Sequence, residues 1–472
     1  MFGHVKNYSE LKGYGFISGE DGNDYFVHFS NINMAGIRSL NAGEQVTFNP
    51  LKTPKGLQAR SVESIKDPKK TRITIKPPTI LKDNPFTPQD PITDPNKFAG
   101  RAEAMLNAVD LIFNNKNILV TGARGIGKSS VAYQLINLAG GDDTLIKRLN
   151  INTSGFVFNH ITGDHRCLKG NTLPIIAKSL LDSIRFKYDA NEHIKEVISR
   201  WGCDLKIFSY SEETKYAEVT FNEIAIEFAF LTESLLHSIK DTTTGICYLI
   251  DEVDELDKDV NLAPFLKSVV EKLRMDGYRN VSFILSGVTG IVTQLVSQHP
   301  SSSRLTENVN IEKMEADELR MIIDNCIKPT GTDITEAAKE RIIGLSGSFP
   351  APVHLLGYHA FKFDSDGEID TNDVISAQYH IVQDIKVQDF QGRLDDFTGA
   401  EEKKILKLLS MPNSERLTPT DIAKRVSIPP DKVASILKDP FRLGTFVSKD
   451  GMYYEISEPL FRIYLRWVSG IQ

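Results

Sequence analysis

Asn117-Ile118-Leu119-Val120-Thr121-Gly122-Ala123-Arg124-Gly125-Ile126-Gly127-Lys128-Ser129-Ser130 is the stretch on which the reading of this chain turns. An apolar run of buried-strand type leads into Gly122, Gly125 and Gly127, then Lys128 and Ser129, and a helix-forming run follows at Val131–Ile136. Glycines in such a loop let several backbone N–H groups converge on one phosphate chain. The lysine reaches the β- and γ-phosphates, and the serine hydroxyl suits Mg²⁺. A helix starting near Lys128 adds the positive end of its dipole. The stretch predicts binding of ATP with Mg²⁺ through Gly122, Gly125, Gly127, Lys128, Ser129 and Ser130.

A second site supports this. Gly245–Ile250 reads as a buried strand and ends in Asp251-Glu252. Two acids at the end of a buried strand are costly unless a cation or substrate uses them. Asp251 is expected to hold the metal with Ser129, and Glu252 to orient and deprotonate the attacking water. Asp254, Glu255 and Asp257 read as solvated surface.

The 472 residues exceed one ordinary domain, and 41% apolar content with 25% charge is that of a globular protein. A net charge of −7 leaves any nucleic-acid surface to be local. Four scattered cysteines have no metal or redox spacing, and His160, His165 and Cys167 lack a fourth ligand. No apolar run approaches membrane length, and the first residues are polar and strand-like. The expectation is a cytoplasmic protein with no membrane partner.

Residues 1–66 read as five short strands forming a small barrel of the OB type. Lys12-Gly13-Tyr14-Gly15-Phe16-Ile17 puts Tyr14 and Phe16 on one face by period two. Tyr25-Phe26-Val27-His28-Phe29 offers either Phe26 with His28 or Tyr25 with Phe29. Exposed rings are platforms for unpaired bases, and nearby lysines meet phosphates. The competing reading has the rings filling the barrel. With Gly3-His4-Val5-Lys6 and Phe26-Val27-His28-Phe29-Ser30, the segment resembles a cold-shock domain over its full length. That resemblance implies single-stranded RNA or DNA binding by Lys6, Lys12, Tyr14, Phe16, Phe26, His28 and Phe29. The family usually has Trp-Phe after Val-Lys, where this chain has Asn7-Tyr8. One stacking platform is missing, and Tyr8 is a partial substitute.

Residues 67–95 carry seven prolines among Lys69, Lys70, Arg72, Lys76 and Lys82, an extended basic linker. From there alternating strands and helices imply a mostly parallel, doubly covered sheet. Expected strands include Leu145–Ile151 and Val281–Gly287, and expected helices Ala102–Phe113, Leu173–Lys187 and Phe221–Lys240. The order of pieces resembles AAA+ ATPases of the origin-recognition-like and STAND-related group. That resemblance makes Arg101, in Phe98-Ala99-Gly100-Arg101, part of an adenine-side box and Ser286 a polar sensor of the γ-phosphate. It places Arg304 where such proteins often carry an arginine reaching a neighbouring subunit's nucleotide, which implies a homo-oligomer only if Arg304 acts between subunits. Arg304 reads equally as an exposed helix-end residue. Gly347-Ser348-Phe349-Pro350 looks like the lid's Gly-x-Pro turn with Ser348 in the glycine position, and His354 is the nearest candidate for a lid arginine.

Residues 396–472 give three short helices and a strand pair turned by Asp450-Gly451, the pattern of a winged helix-turn-helix. Lys432, Lys438, Arg442 and Lys449 are interleaved with acids, so duplex DNA and a protein partner both stay open. The expected organisation is a barrel at 1–66, a linker at 67–95, an AAA+ core at 96–315, a helical lid at 316–395 and the winged helix. The function that follows is an ATP-hydrolysing switch or remodeller that binds single-stranded nucleic acid. The alternatives are a STAND-type signalling or defence NTPase holding nucleotide as a slowly exchanged ligand, and a duplex-DNA loader.

Overall fold

The computed structural model describes residues 1–9, 14–28, 31–32, 40, 43–53, 56–64, 83–153, 155–189, 191–199, 220–239, 242–299, 304–384, 399–411, 414, 416–439, 443 and 446–468. Met1–Phe86, Ile327–Gly347 and Pro352–Gln472 form one compact unit. Thr87–Cys326 with Ser348–Ala351 form the other.

In the first unit, β1 (Phe2–Ser9), β2 (Tyr14–Gly19), β3 (Asp24–His28), β4 (Gln45–Thr53) and β5 (Gly56–Ser64) close into a barrel of order β1-β2-β3-β5-β4. Closure pairs every strand, so no sheet edge is exposed. Val5, Ile17, Val27, Val46, Phe48, Ala59 and Val62 fill the interior. Period two decides which rings join them: Tyr25 turns inward onto Phe48, at 4.9 Å between centroids. Tyr14 and Phe16 turn outward, with Gly15 and Ile17 beneath them.

The second unit is a five-stranded, all-parallel sheet. Its elements are α1 (Ala102–Phe113), β6 (Ile118–Gly122), α2 (Lys128–Ala139), α3 (Thr144–Arg148), β7 (His160–Arg166), α4 (Leu173–Lys187), α5 (Glu192–Ser199), α6 (Phe221–Ile239), β8 (Gly245–Asp251), α7 (Leu262–Met275), β9 (Val281–Val288), α8 (Ile291–Gln298), β10 (Glu307–Ile311) and α9 (Ala316–Ile327). The strand order β10-β6-β9-β8-β7 puts the ends of β6, β9 and β8 side by side. Ligands of open α/β sheets bind beyond such carboxyl ends. Helix α9, which the sequence reading gives to the lid, groups with this sheet.

The expected strand at Leu145–Ile151 is the helix α3; the strand is β7 instead. Leu145 and Ile146 are buried beside exposed Lys147 and Arg148, a spacing that suits one helical turn. Strand β7 escapes an apolar-run search because its buried side chains are mostly polar and paired. His160 bonds Asn115 and Thr244, Thr162 accompanies the Tyr188 hydroxyl, and His165 bonds Asn171. Both histidines are thus engaged by neighbouring side chains.

The first unit also holds β11 (Asp333–Ile334), α10 (Glu336–Ser346), most of α11 (Pro350–Phe363), β12 (Glu368–Ile369) and α12 (Thr371–Asp384). Next come α13 (Ala400–Ser410), α14 (Pro419–Val426), α15 (Pro430–Lys438), the antiparallel pair β13 (Val447–Asp450) and β14 (Tyr453–Ile456), and α16 (Pro459–Val468). Thr418 starts α14 with a capping box to Asp421. Helix α16 docks through Arg466, whose guanidinium donates to the carbonyls of Ser410 and Gly344. Among the described residues no helix is long and apolar enough to cross a membrane.

Residues 84–93 run as a strap. Asn84 Nδ2 donates to the Tyr358 carbonyl of α11 at 2.8 Å, and the buried Phe86 ring lies over Gly357. A Cβ at Gly357 would come within 2.4 Å of that ring. In the second unit the strap continues along α2: Ile92 N–H donates to Ser130 Oγ at 3.0 Å, and Gln134 donates to the carbonyls of Ile92 and Thr93.

Candidate nucleotide and nucleic-acid sites

Strand β6 ends at Gly122, and the loop reaches α2 through Gly125 (φ 74°) and Gly127 (φ 95°). Both lie in the left-handed region, where a side chain would be strained. The loop is braced from beneath by Arg101, which is buried, itself at φ 63°, and donates to the carbonyls of Ile126 (2.8 Å) and Glu312. Its guanidinium is therefore committed to holding the loop. Ser130, also expected at the nucleotide, accepts from the strap. Lys128 Nζ donates to the Ala123 carbonyl at 3.0 Å. Burial lowers its pKa, and Asp254 and Asp251 act against that.

Asp251 ends β8 and is fully buried. Its Oδ1 accepts from Ser286 Oγ of the adjacent β9, and Ser286 Oγ in turn accepts from Glu252 N–H at 3.2 Å. Its Oδ2 has no hydrogen-bond partner among the described residues. Burial raises the Asp251 pKa, while the hydroxyls of Ser286 and Ser129 pull it back. A buried carboxylate with one orphaned oxygen beside a hydroxyl is a donor set of the hard, oxygen-only kind that Mg²⁺ takes. The chemistry of these residues fits that ion.

Glu252 occupies φ 58°, uncommon for a residue with a side chain and characteristic of strained functional positions. Both its carboxylate oxygens accept from Arg166 of β7, at 2.8 and 2.9 Å. Arg166 escapes sequence reading, because no apolar run marks its strand. Register finds it: Arg166 pairs with Asp251 across the β7–β8 ladder, which sets it beside Glu252. Asp254 also differs from expectation. Its carboxylate is only 13% exposed and accepts from Val288 N–H at 3.0 Å, so it belongs to the site and not to the solvated surface.

Over the loop, Pro350 and Ala351 open α11, and Ala351 N–H donates to the Gly125 carbonyl at 3.3 Å. The preceding Ser348 has φ 70°, which explains why glycine suits that position. His354 is buried in α11 with its ring edge-on to Phe86. Arg304 is exposed just before β10.

On the barrel, Tyr14 and Phe16 are 37% and 39% exposed and flank the half-buried Phe26, with centroids 5.5 and 5.8 Å away. Tyr14 pairs in register with His28, and Phe16 with Phe26, so β2 and β3 present one continuous aromatic face. Lys6 on β1 is exposed and paired with Asp24 at 2.5 Å. Tyr8 is half-buried against the barrel core. Lys12 and Phe29 lie outside the described residues, as does Arg442 of the C-terminal module. There Lys432 is paired with Glu401 at 2.8 Å, and the same helix has Asp431 in its first turn and Asp439 at its C-terminal end.

Fold and sequence together define a parallel α/β domain with a glycine-rich loop of phosphate-binding pattern between β6 and α2, in a chain that also forms a closed five-stranded barrel. The walker-type ATPase PABY2304 of Pyrococcus abyssi is a solved structure of similar fold, with TM-score 0.51 at 16% identity over 80% of this chain and 99% of that one. The 'Cold-shock' DNA-binding domain model matches residues 1–65. Cold shock protein 1 of Lactiplantibacillus plantarum is 52% identical over 60 residues, 13% of this chain and 91% of that protein. Major cold shock protein CspA of Pseudomonas aeruginosa is 46% identical over 63 residues, again 13% and 91%. Through its first 65 residues the chain belongs to the cold-shock domain family.

Proposed function

We propose that this chain is an ATP-hydrolysing AAA+ switch or remodelling protein that also binds single-stranded nucleic acid through its barrel. The observation carrying the first half is the buried Asp251, with an orphaned oxygen, beside Ser286 and Glu252. In this reading Lys128 and the loop N–H groups hold the phosphates. Ser129 and Asp251 hold Mg²⁺, which would neutralise charge on the transferring phosphoryl group. Ser286 couples the metal-side carboxylate to the backbone of Glu252, and Glu252 takes the proton of the attacking water. Arg304 serves a neighbouring copy of the chain. The functional modules are the barrel at 1–66, the linker at 67–95, the core at 96–315, the lid at 316–395 and the winged helix at 396–472.

The Arg166 pair favours slow basal turnover, as in a switch that holds its nucleotide. A carboxylate engaged at both oxygens must release one before it accepts a proton. Single-stranded nucleic acid bound at the barrel is proposed to change the rate of turnover at that site. Steady-state ATP turnover with and without single-stranded RNA or DNA tests the coupling. Stimulation is expected, and equal rates at saturation refute it.

For the barrel, Phe16→Ala and Phe26→Ala are each expected to weaken single-strand binding by about 1–3 kcal/mol. Fluorescence anisotropy with a labelled oligonucleotide measures this. Unchanged affinity in both would remove the aromatic face from the reading. The pairing of Lys432 with Glu401 leaves α15 with little positive charge, which speaks against the loader alternative.

A further inference from the structure

We infer that Arg124 is the residue through which the phosphate loop distinguishes a nucleoside triphosphate from a diphosphate. This rests on the nucleotide-site reading above and adds a contact that reading does not include.

Arg124 sits in the loop between Gly122 and Gly125, and its side chain is 75% exposed. Its guanidinium lies 3.3 Å from Glu255 Oε1 and 3.8 Å from Asp254 Oδ2. Lys128 Nζ bonds the carbonyl of Ala123, the residue directly before Arg124. Arg124, Lys128, Asp254 and Glu255 thus share one small electrostatic neighbourhood at the mouth of the loop.

Glu255 is a weak partner for Arg124, because ion pairs between exposed side chains stabilise little, and Asp254 stands farther off. A phosphate offers a guanidinium two parallel charge-assisted hydrogen bonds and more negative charge than either acid. On the nucleotide-site reading the third phosphate is the group a diphosphate lacks, and Arg124 is the exposed cation of the loop that would hold it. Arg124 therefore exchanges carboxylate for terminal phosphate only when that phosphate is present.

The exchange has a consequence in the acidic turn. Asp254 and Glu255 follow Glu252 directly, and Asp254 is tied through Val288 N–H to the end of β9, the strand bearing Ser286. When Arg124 leaves, that turn loses its cation and keeps the β9 tether. Release of Asp254 and Glu255 is then the signal that the terminal phosphate has arrived.

The test is calorimetric binding of ATP and ADP with Mg²⁺ to full-length protein in the Glu252→Gln background, where turnover does not blur the affinities. Arg124→Ala is expected to weaken ATP binding about tenfold and to leave ADP within about twofold. Glu255→Gln removes the competing acid and is expected to tighten ATP relative to ADP by about two- to fivefold. An unchanged ATP-to-ADP ratio in Arg124→Ala overturns the inference and leaves the nucleotide site standing. A parent protein that binds neither nucleotide overturns both. Arg124 is exposed, so its removal leaves the fold intact, which circular dichroism verifies.

Discussion

Glu252→Gln is expected to bind ATP as the parent protein does and to lose turnover by about 10²–10⁴-fold, the usual contribution of a positioned general base. The substitution keeps the shape of the side chain and one oxygen for Arg166, so the backbone at φ 58° and the Ser286 contact should persist. What it removes is the basicity that accepts the water's proton. Binding is read by calorimetry and turnover by phosphate release. Turnover persisting near the parent rate assigns the base elsewhere. Loss of both binding and turnover makes Glu252 a structural residue.

Lys128→Ala is expected to remove nucleotide binding. Truncating one partner of a hydrogen-bonded charge pair costs about 2–5 kcal/mol, roughly 30- to 5,000-fold in Kd. In this structure the ammonium also bonds the Ala123 carbonyl, so its loss relaxes the loop slightly. Arg101 still braces the same loop through Ile126 and Glu312. The variant should therefore fold and fail at the ligand. A Kd within threefold of the parent would mean that the loop N–H groups alone hold the phosphates, and the role given to Lys128 would fall. Arg101→Ala acts in the opposite order, disturbing the loop first and binding as a result, because its guanidinium never leaves the protein.

The phosphate loop, the acidic strand and the cold-shock segment were legible in order and type from local pattern. Each is a short run whose residue spacing and local geometry carry the meaning: glycines at positive φ, an apolar strand ending in acids, aromatics at period two. Strand β7 was not legible. Its buried His160, Thr162 and His165 are satisfied by Asn115, Tyr188 and Asn171, partners from different parts of the chain. An apolar-run search then chose Leu145–Ile151, where a helical turn buries the same kind of residues. With β7 misplaced, Arg166 could not be assigned to the site.

The roles of Arg101 and Ser130 show the same limit. Sequence places both at the nucleotide; the structure shows Arg101 bonded to the Ile126 carbonyl and Ser130 bonded to Ile92 N–H. Only packing decides that one holds the loop from below and the other holds the strap. Asp254 makes the reverse move, from assumed surface to a carboxylate tied to β9.

What the sequence determined alone is the chemistry on offer: a phosphate-binding loop, a carboxylate pair and an aromatic barrel face, all set by contiguous residues and the periodicity of single elements. What the tertiary structure decided is who faces whom. The parallel order β10-β6-β9-β8-β7 brings Gly122, Ser286 and Asp251 to neighbouring strand ends, and the β7–β8 register sets Arg166 against Glu252. The physical reason is that charge interactions fall with distance through space, and distance along the chain does not measure it.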